Sequence, residues 1–175
     1  MHNETSPLTP SPPNPVVVHQ LRQTGPDVAA TNIPSGALNG PTGVKVITEF
    51  ETQTGDPNGT TTLAAGSTVS FTVYLQKINT TGTMVPYAAV YKNSAIAGNL
   101  ICSASGGTAV TTTMTSYTFT CAVGAGGVAF TTADRLYVQV GVNVSVAPNG
   151  SNRVNVGVEG VLNGATDSRM TVPWP

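Results

Sequence analysis

Residues 136–144 read LYVQVGVNV, and this stretch decides the fold class of the chain. Every even-numbered position carries Leu or Val, whereas the odd-numbered positions carry Tyr, Gln, Gly and Asn. Successive side chains on a β-strand point to opposite sides, so alternation with a period of two indicates a strand that buries one face. We therefore predict a core strand in which the even-numbered residues, from Leu136 to Val142, are buried.

Similar alternation recurs along the chain. Residues 71–75 read FTVYL, which predicts that Phe71, Val73 and Leu75 share a buried face. Turn signals separate the short stretches, and no helical period of useful length is present. About eight short strands of this kind are typical of an all-β fold. We predict a two-sheet, jelly-roll-like β-sandwich. Further strands are predicted over residues 87–91, 99–103, 116–123, 154–158 and 169–172.

Residues 44–51 read VKVITEFE and also alternate. The pattern predicts one face with the two valines, Thr48 and Phe50, and another with Lys45, Ile47 and two glutamates. Glu49 and Glu51 share that second face, as paired carboxylates of a glycosidase can. A face that also carries Lys45 is more typical of solvent exposure, so we predict a solvent face and no catalytic role.

The N-terminal region differs in composition from the rest. Residues 6–15 read SPLTPSPPNP, a proline-rich segment that favours extended, polyproline-like chain. We predict an extended arm over residues 1–42 and a β-sandwich domain over residues 43–175. After the prolines comes a β-prone stretch, which we interpret as an assembly arm for contacts with another subunit. Its candidate residues are Val16, Val17, Val18, His19 and Leu21.

The charge content of the chain restricts its partners. Charged residues make up 9% of the sequence and the formal net charge is −1, against roughly a quarter charged residues in typical domains. Nucleic-acid binding needs clustered Lys and Arg, which this chain lacks. No run of apolar residues is long enough to span a membrane. Few charges and few histidines also leave little for acid–base or metal chemistry.

The two cysteines are Cys102 and Cys121, and the only histidines are His2 and His19. A structural zinc site needs about four ligands, which leaves either a disulfide or two reduced core thiols. Each cysteine lies in a predicted strand, and the Thr- and Gly-rich segment between them can close a hairpin that places them opposite each other. We predict a Cys102–Cys121 disulfide, which favours an extracellular setting.

Four stretches carry a resemblance to a known class of domain: residues 71–75 (FTVYL), 116–120 (SYTFT), 132–138 (TADRLYV) and 167–173 (DSRMTVP). Over residues 72–173 the chain resembles jelly-roll, carbohydrate-binding-module-like domains of bacterial surface and secreted proteins. The resemblance implies that TADRLYV is a turn leading into a long core strand and that DSRMTVP is the last strand. Such domains usually bind glycans with exposed aromatic residues, and the only tryptophan here is Trp174.

Two tyrosines are candidate glycan-stacking residues. Tyr74 and Tyr137 are opposite in phase to the apolar faces of their strands, so they are predicted to point outwards, where a ring can stack on a sugar. The alternative is that an outward tyrosine is only favourable in a strand or contacts a neighbouring subunit.

Three carboxylates are candidate ligands of a structural calcium ion, because Ca²⁺ prefers oxygen ligands. They are Asp134, Glu159 and Asp167, whose spacing matches no calcium-binding loop. The same aspartates could equally form surface ion pairs with their arginine neighbours. We therefore predict no metal site and no required cofactor.

These observations favour a non-enzymatic structural or assembly module on an exterior surface, such as a fibre, filament or virion coat subunit. The expected partners are further copies of the chain, contacted through the arm, in a homo-oligomer or polymer. The alternative is a carbohydrate-binding module with a glycan as partner. An enzyme domain is disfavoured.

Overall fold

The structure, a computed structural model, describes residues 1, 18–20, 31–38, 40–53, 60–149, 152–158 and 168–175. These residues form twelve β-strands and one 3₁₀ turn, Ala97–Asn99. In chain order the strands are β1 (Val18–Gln20), β2 (Thr31–Pro34), β3 (Gly43–Glu51), β4 (Thr61–Leu63), β5 (Thr68–Lys77), β6 (Thr83–Lys92), β7 (Leu100–Ser105), β8 (Thr115–Ala122), β9 (Val128–Phe130), β10 (Leu136–Val146), β11 (Val154–Val158) and β12 (Arg169–Thr171).

The strands form two main sheets. The first has the order β1-β3-β10-β6-β7. In the second, β2, β11, β5 and β8 lie side by side, and β12 also pairs with β5. The eight antiparallel strands β2, β3, β5, β6, β7, β8, β10 and β11 therefore have the connectivity of a jelly roll. This confirms the predicted fold class. A small third sheet pairs β4 with β9.

The core lies between the two main sheets and contains the side chains that the alternation predicts. Val138, Val140 and Val142 of β10 are fully buried. On β5, the buried Phe71 also stacks on Phe119 of the neighbouring β8, with 5.3 Å between ring centroids. The remaining predicted core side chains, which are also buried, are Leu136, Val73 and Leu75.

Strand β3 changes phase at a β-bulge. Val140 of β10 lies opposite Thr48, whereas the next residue, Gly141, lies opposite Val46, so Ile47 is an extra residue on β3. A β-bulge sets two residues of one strand against one residue of its partner and shifts the pattern of the side chains that follow. Ile47 is itself buried in the hydrophobic core.

The bulge corrects the arrangement predicted for residues 44–51. Upstream of the bulge, Lys45 lies opposite the core residue Val142, and the side chain of Val44 is 47% exposed. Lys45 therefore does not share a face with Glu49, which lies opposite Gln139. A bulge depends on pairing with a distant strand, so the local alternation of β3 does not reveal it.

Gly141 allows the close backbone approach at this bulge. A Cβ atom at this position would lie 2.1 Å from the carbonyl oxygen of Lys45 and 2.9 Å from the Cα atom of Val46. Both contacts are with backbone atoms, which cannot move aside as a flexible side chain would. The glycine in the middle of the longest strand is thus a packing requirement.

Strands β11 and β12 lie along the same edge of β5, and Ser168 joins them. Its hydroxyl accepts a hydrogen bond from the backbone N–H of Tyr74 at 2.8 Å and donates one to the carbonyl oxygen of Gly157 at 2.6 Å. Ser168 is fully buried. The Ser168 hydroxyl therefore takes the place of backbone ladder hydrogen bonds at the point along β5 between β11 and β12.

The N-terminal range contributes strands to both sheets. Within residues 1–42, which the sequence assigns to an arm, β1 pairs with β3 and β2 pairs with β11. The chain after β2 is also bound, because the Ser35 hydroxyl accepts a hydrogen bond from the N–H of Val154 at 2.9 Å. The paired sandwich therefore includes residues before position 43. A strand of four residues is too short for alternation to reveal it, and the proline-rich residues 6–15 lie outside the described part.

The predicted disulfide is present, but its position differs from the predicted hairpin. Cys102 and Cys121 are joined with their Cα atoms 5.7 Å apart. Cys102 belongs to β7 of the first sheet and lies opposite Val90, whereas Cys121 belongs to β8 of the second sheet and lies opposite Val69. The bond therefore joins the two sheets across one side of the sandwich, and β7 and β8 do not pair.

Candidate functional site

A group of four side chains, here called the outer polar cluster, lies on the face of the first sheet that points away from the core. Glu49 accepts hydrogen bonds from the hydroxyl of Tyr137 and from the amide of Gln139, the latter at 2.7 Å. Gln139 Oε1 in turn accepts a hydrogen bond from the Tyr91 hydroxyl at 3.0 Å. Glu49 and Tyr137 are almost completely buried, at 0% and 2% exposure.

The strand register brings this cluster together. In β10 the odd-numbered residues face away from the core, so Tyr137 and Gln139 share the outer face. Glu49 of β3 lies opposite Gln139, and Tyr91 of β6 lies opposite Tyr137. Such a cross-strand arrangement depends on three strands that are far apart in sequence, so sequence patterns do not indicate it.

Burial, together with smaller contributions from the nearby Tyr87 and Glu49, raises the pKa of Tyr91 to about 12. A tyrosine with a raised pKa keeps its proton at neutral pH and remains a hydrogen-bond donor. Each of the two Glu49 carboxylate oxygens accepts a hydrogen bond from a neutral side chain. The cluster is therefore arranged to hold a buried carboxylate in place between strands.

The prediction that the two glutamates lie on a solvent-exposed face is wrong. Glu49 is fully buried and Glu51 is 3% exposed. A carboxylate of Glu51 lies 2.9 Å from the guanidinium of Arg135, whose own side chain is 22% exposed. A buried charge needs such a partner, because removal of one member of a buried ion pair destabilises the fold by about 3–5 kcal/mol.

The two candidate glycan-stacking tyrosines are not available for stacking. Tyr74 is 6% exposed and Tyr137 is 2% exposed. Both tyrosines lie on the side of their strands that points away from the core, as the alternation predicts. Alternation gives the side of the sheet on which a residue lies but not its exposure to solvent. Trp174 is partly buried and packs edge-on against Phe130, with 5.3 Å between ring centroids.

Asp134 organises the turn before β10. Its Oδ1 accepts a hydrogen bond from the Asn93 amide at 2.7 Å, and its Oδ2 accepts two from Thr131, both at 2.8 Å. Lys92 lies 3.0 Å from the same Oδ2. The hydrogen bond from Asn93, followed by those from Thr131 and Lys92, holds the pKa of Asp134 well below its usual range.

Of the three candidate calcium ligands, Asp134 is the one that lies among the described residues. Both oxygens of Asp134 are used by donors from the protein. Glu159 and Asp167 lie outside the described residues. Among the residues that are described, no three His, Cys, Asp or Glu side chains come together as a metal-binding group.

Two of the candidate arm residues lie in a strand. Val18 and His19 belong to β1, which runs parallel to β3 and places Val18 opposite Glu49 and His19 opposite Phe50. The other three candidates, Val16, Val17 and Leu21, lie outside the described residues. The candidate arm therefore adds a short strand to one edge of the first sheet.

A shallow groove runs along β8 on the opposite side of the sandwich from β1. Its volume is about 170 Å³. One wall is β8 itself, over residues 115–118, and the other is the loop of Gly106, Gly107 and Thr108. The alternation patterns do not predict this groove, although the run of small and hydroxyl-bearing residues around it is visible in the sequence.

The fold and its cross-sheet bond define a disulfide-linked jelly-roll β-sandwich. No protein-family model matches the chain, and a search of curated proteins finds no match. Within the described part of the chain, no helix has the length and apolar character needed to cross a membrane.

Proposed function

We propose that this chain is a non-enzymatic structural subunit of an assembly on an exterior surface, such as a fibre, a filament or a virion coat. In this proposal the N-terminal arm joins one subunit to the next. The observation that carries it is β1, which adds three residues in parallel to the edge of β3. Strand addition to a sheet edge provides main-chain hydrogen bonds without a dedicated side-chain pocket.

The arm is long enough to make the same contact on a neighbour. The connection between Gln20 and Thr31 contains ten residues, which span up to about 35 Å when fully extended. A strand on such a connection can add to the β3 edge of its own sandwich or to that of a second copy. Exchange of an identical element between copies is a simple route from monomer to assembly.

Composition and the disulfide support the same function. Only 9% of the residues are charged, and charged residues are depleted at the centres of subunit interfaces. The Cys102–Cys121 bond links the two sheets, and disulfides persist mainly in oxidising, exterior compartments. Together they favour a subunit that packs closely against its neighbours outside the cell.

The carboxylates of the site also favour a structural role. Glu49 is held by Tyr137 and Gln139, Glu51 is paired with Arg135, and Asp134 caps a turn. The carbohydrate-binding alternative depended on outward aromatic rings, and its two candidate tyrosines are buried. The structural subunit is therefore the better supported of the two functions.

The test compares the full chain with a chain that lacks residues 1–25. We expect the full chain to form large species by light scattering and electron microscopy, and the shortened chain to remain small. Circular dichroism should show a similar β-rich spectrum for both, because the described residues that the deletion removes are Met1 and the three-residue edge strand β1. A shortened chain that assembles like the full chain would refute the role of the arm.

A further inference from the structure

Strand β8 is an edge strand whose outward backbone groups can be identified. The N–H of Val123 donates to the carbonyl of Ser67 at 2.9 Å, so the backbone of Val123 faces β5. On β5 the N–H of Tyr74 donates to Ser168, on the edge away from β8. Backbone groups of alternate residues in an antiparallel strand face opposite neighbours. The residues of β8 whose backbone N–H and C=O groups face away from β5 are Ser116, Thr118, Thr120 and Ala122.

These outward groups are open for pairing. Within the described part of the chain, the backbone N–H and C=O groups of Ser116, Thr118 and Thr120 have no hydrogen-bond partner. The side chains of the same three residues are exposed. An edge strand of this kind is a template on which another strand can form.

Proteins usually protect such an edge, and β8 lacks the charges, prolines, bulges and short length that commonly do so. It is eight residues long, and its pairing with β5 is free of bulges. No charged residue and no proline lies between Lys92 and Asp134. By contrast, β1 has three residues, and β2 has four and ends at Pro34. Charges, prolines, bulges and short length are the devices that normally block edge-to-edge pairing.

We propose that β8 pairs with β8 of a second copy of this chain, antiparallel and about a twofold axis, so that the second sheet continues across both copies. An antiparallel strand edge is complementary to itself, as a twofold interface requires. An uncharged strand also meets its own copy without the like-charge repulsion that a lysine or glutamate would bring. The occupant of the edge is therefore the same strand of another subunit.

The groove beside β8 provides the space for the incoming strand. It borders residues 115–118 and is bounded by Gly106, Gly107 and Thr108. A Cβ atom at Gly107 would have no neighbour within 4 Å, so this wall leaves the groove open. Neighbouring strands lie about 4.8 Å apart, and a side chain at Gly107 would project into space that is otherwise empty.

This inference rests on the proposed function, because one added strand buries less than the roughly 1,000 Å² that a stable interface needs. The β8 contact is thus a second contact within an assembly that the arm also holds. β1 extends the β3 edge of the first sheet, whereas β8 is an edge of the second sheet. Two separate contacts on each subunit are sufficient to build a polymer.

The first test replaces Thr118 in the full chain. Thr118→Pro removes an outward N–H but leaves the hydrogen bonds to β5, and proline is tolerated at such edge positions. We expect it to raise the concentration needed for assembly by about tenfold or more, since about 1.4 kcal/mol corresponds to a factor of ten. The matched control, Thr118→Val, keeps the N–H and should assemble like the unmodified chain.

A second variant blocks the groove without changing β8. Gly107→Leu should weaken assembly, while Gly36→Leu, placed in equally open space beside β2, should not. If Thr118→Pro and Gly107→Leu both assemble normally, the β8 pairing is refuted even if removal of residues 1–25 abolishes assembly. If those two variants fail to assemble while the shortened chain still assembles, the β8 pairing stands and the role of the arm is refuted.

Amide hydrogen exchange gives a readout that does not depend on assembly size. In the assembled full chain, the amides of Ser116, Thr118 and Thr120 should be protected along with those of Tyr117 and Phe119. In the dilute monomer only the odd-numbered amides, which bond to β5, should be protected. Equal, rapid exchange of the even-numbered amides in both states would overturn the pairing.

Discussion

The hydroxyl of Tyr137 donates a hydrogen bond to the carboxylate of Glu49, and both side chains are buried on the face of the first sheet that points away from the core. This contact joins β10 to the neighbouring β3 through side chains as well as through the backbone ladder. A buried polar pair of this kind stabilises one arrangement of strands, because any shift of register separates the partners.

Removing the hydroxyl of Tyr137 should therefore destabilise the fold. We expect Tyr137→Phe to lower the free energy of unfolding by about 1–3 kcal/mol, since a buried acceptor loses a donor while the ring shape is kept. Urea unfolding followed by circular dichroism measures the change. Tyr91→Phe is the control: it removes the bond to Gln139 at a more exposed position, and its effect should be smaller. Equal stability of Tyr137→Phe and the unmodified chain would contradict this role.

The disulfide should contribute measurably to stability. Its two cysteines are 19 residues apart in sequence, and a loop of this size corresponds to about 3 kcal/mol of stabilisation. We expect reductant to lower the melting temperature of the unmodified chain. A chain with both Cys102→Ala and Cys121→Ala should melt lower at the outset and should not respond to reductant. No response of the unmodified chain would show that the bond adds little to stability.

Gly141 should tolerate no side chain. Gly141→Ala places a Cβ atom 2.1 Å from a backbone oxygen of Lys45, so β3 and β10 must move apart. Overpacking of this kind costs about 1–3 kcal/mol, occasionally more, and urea unfolding should detect it. Gly98→Ala, where a Cβ atom would have no neighbour within 4 Å, should be close to neutral. A stable Gly141→Ala chain would show that the close approach at the bulge is not required.

Asp134 should make stability depend on acid pH. Its pKa in the folded chain lies below the value near 4 of an unfolded aspartate, chiefly through the hydrogen bond from Asn93. A lowered pKa stabilises the fold above pH about 4 and loses that contribution as the pH falls further. We expect the unmodified chain to lose more stability between pH 6 and pH 2.5 than Asp134→Asn does, as measured by urea midpoints. Parallel losses in both chains would rule out this contribution.

The fold class could be predicted because the strands that decide it alternate cleanly. The even-numbered side chains of β10 and the odd-numbered ones of β5 are buried as their pattern indicates. The phase of β3 could not be predicted upstream of Ile47, because its bulge arises from pairing with β10. The four residues of β2 were missed for a related reason, since their pairing partner, β11, is more than a hundred residues away in sequence.

The outer face of the first sheet marks the limit of the sequence analysis for the site. Alternation separates the two faces of a strand but does not show whether the face away from the core is exposed to solvent. The predicted solvent exposure of Glu49 and Tyr137 is therefore wrong. The cysteine pairing could be predicted from their number, whereas its bridging of two sheets required the strand order. The open edge of β8 could have been suspected from the uncharged sequence between Lys92 and Asp134.

The Cys102–Cys121 bond also has a mechanical consequence. When a chain is pulled from its two ends, the segment between the bonded cysteines cannot extend. Without the bond, the 19-residue separation would add about 65 Å to the length of the stretched chain, at roughly 3.4 Å per residue. Strands β7 and β8 lie at the ends of this segment, one in each sheet. A subunit under tension would therefore lengthen by peeling its other strands, while these two remain tethered to each other.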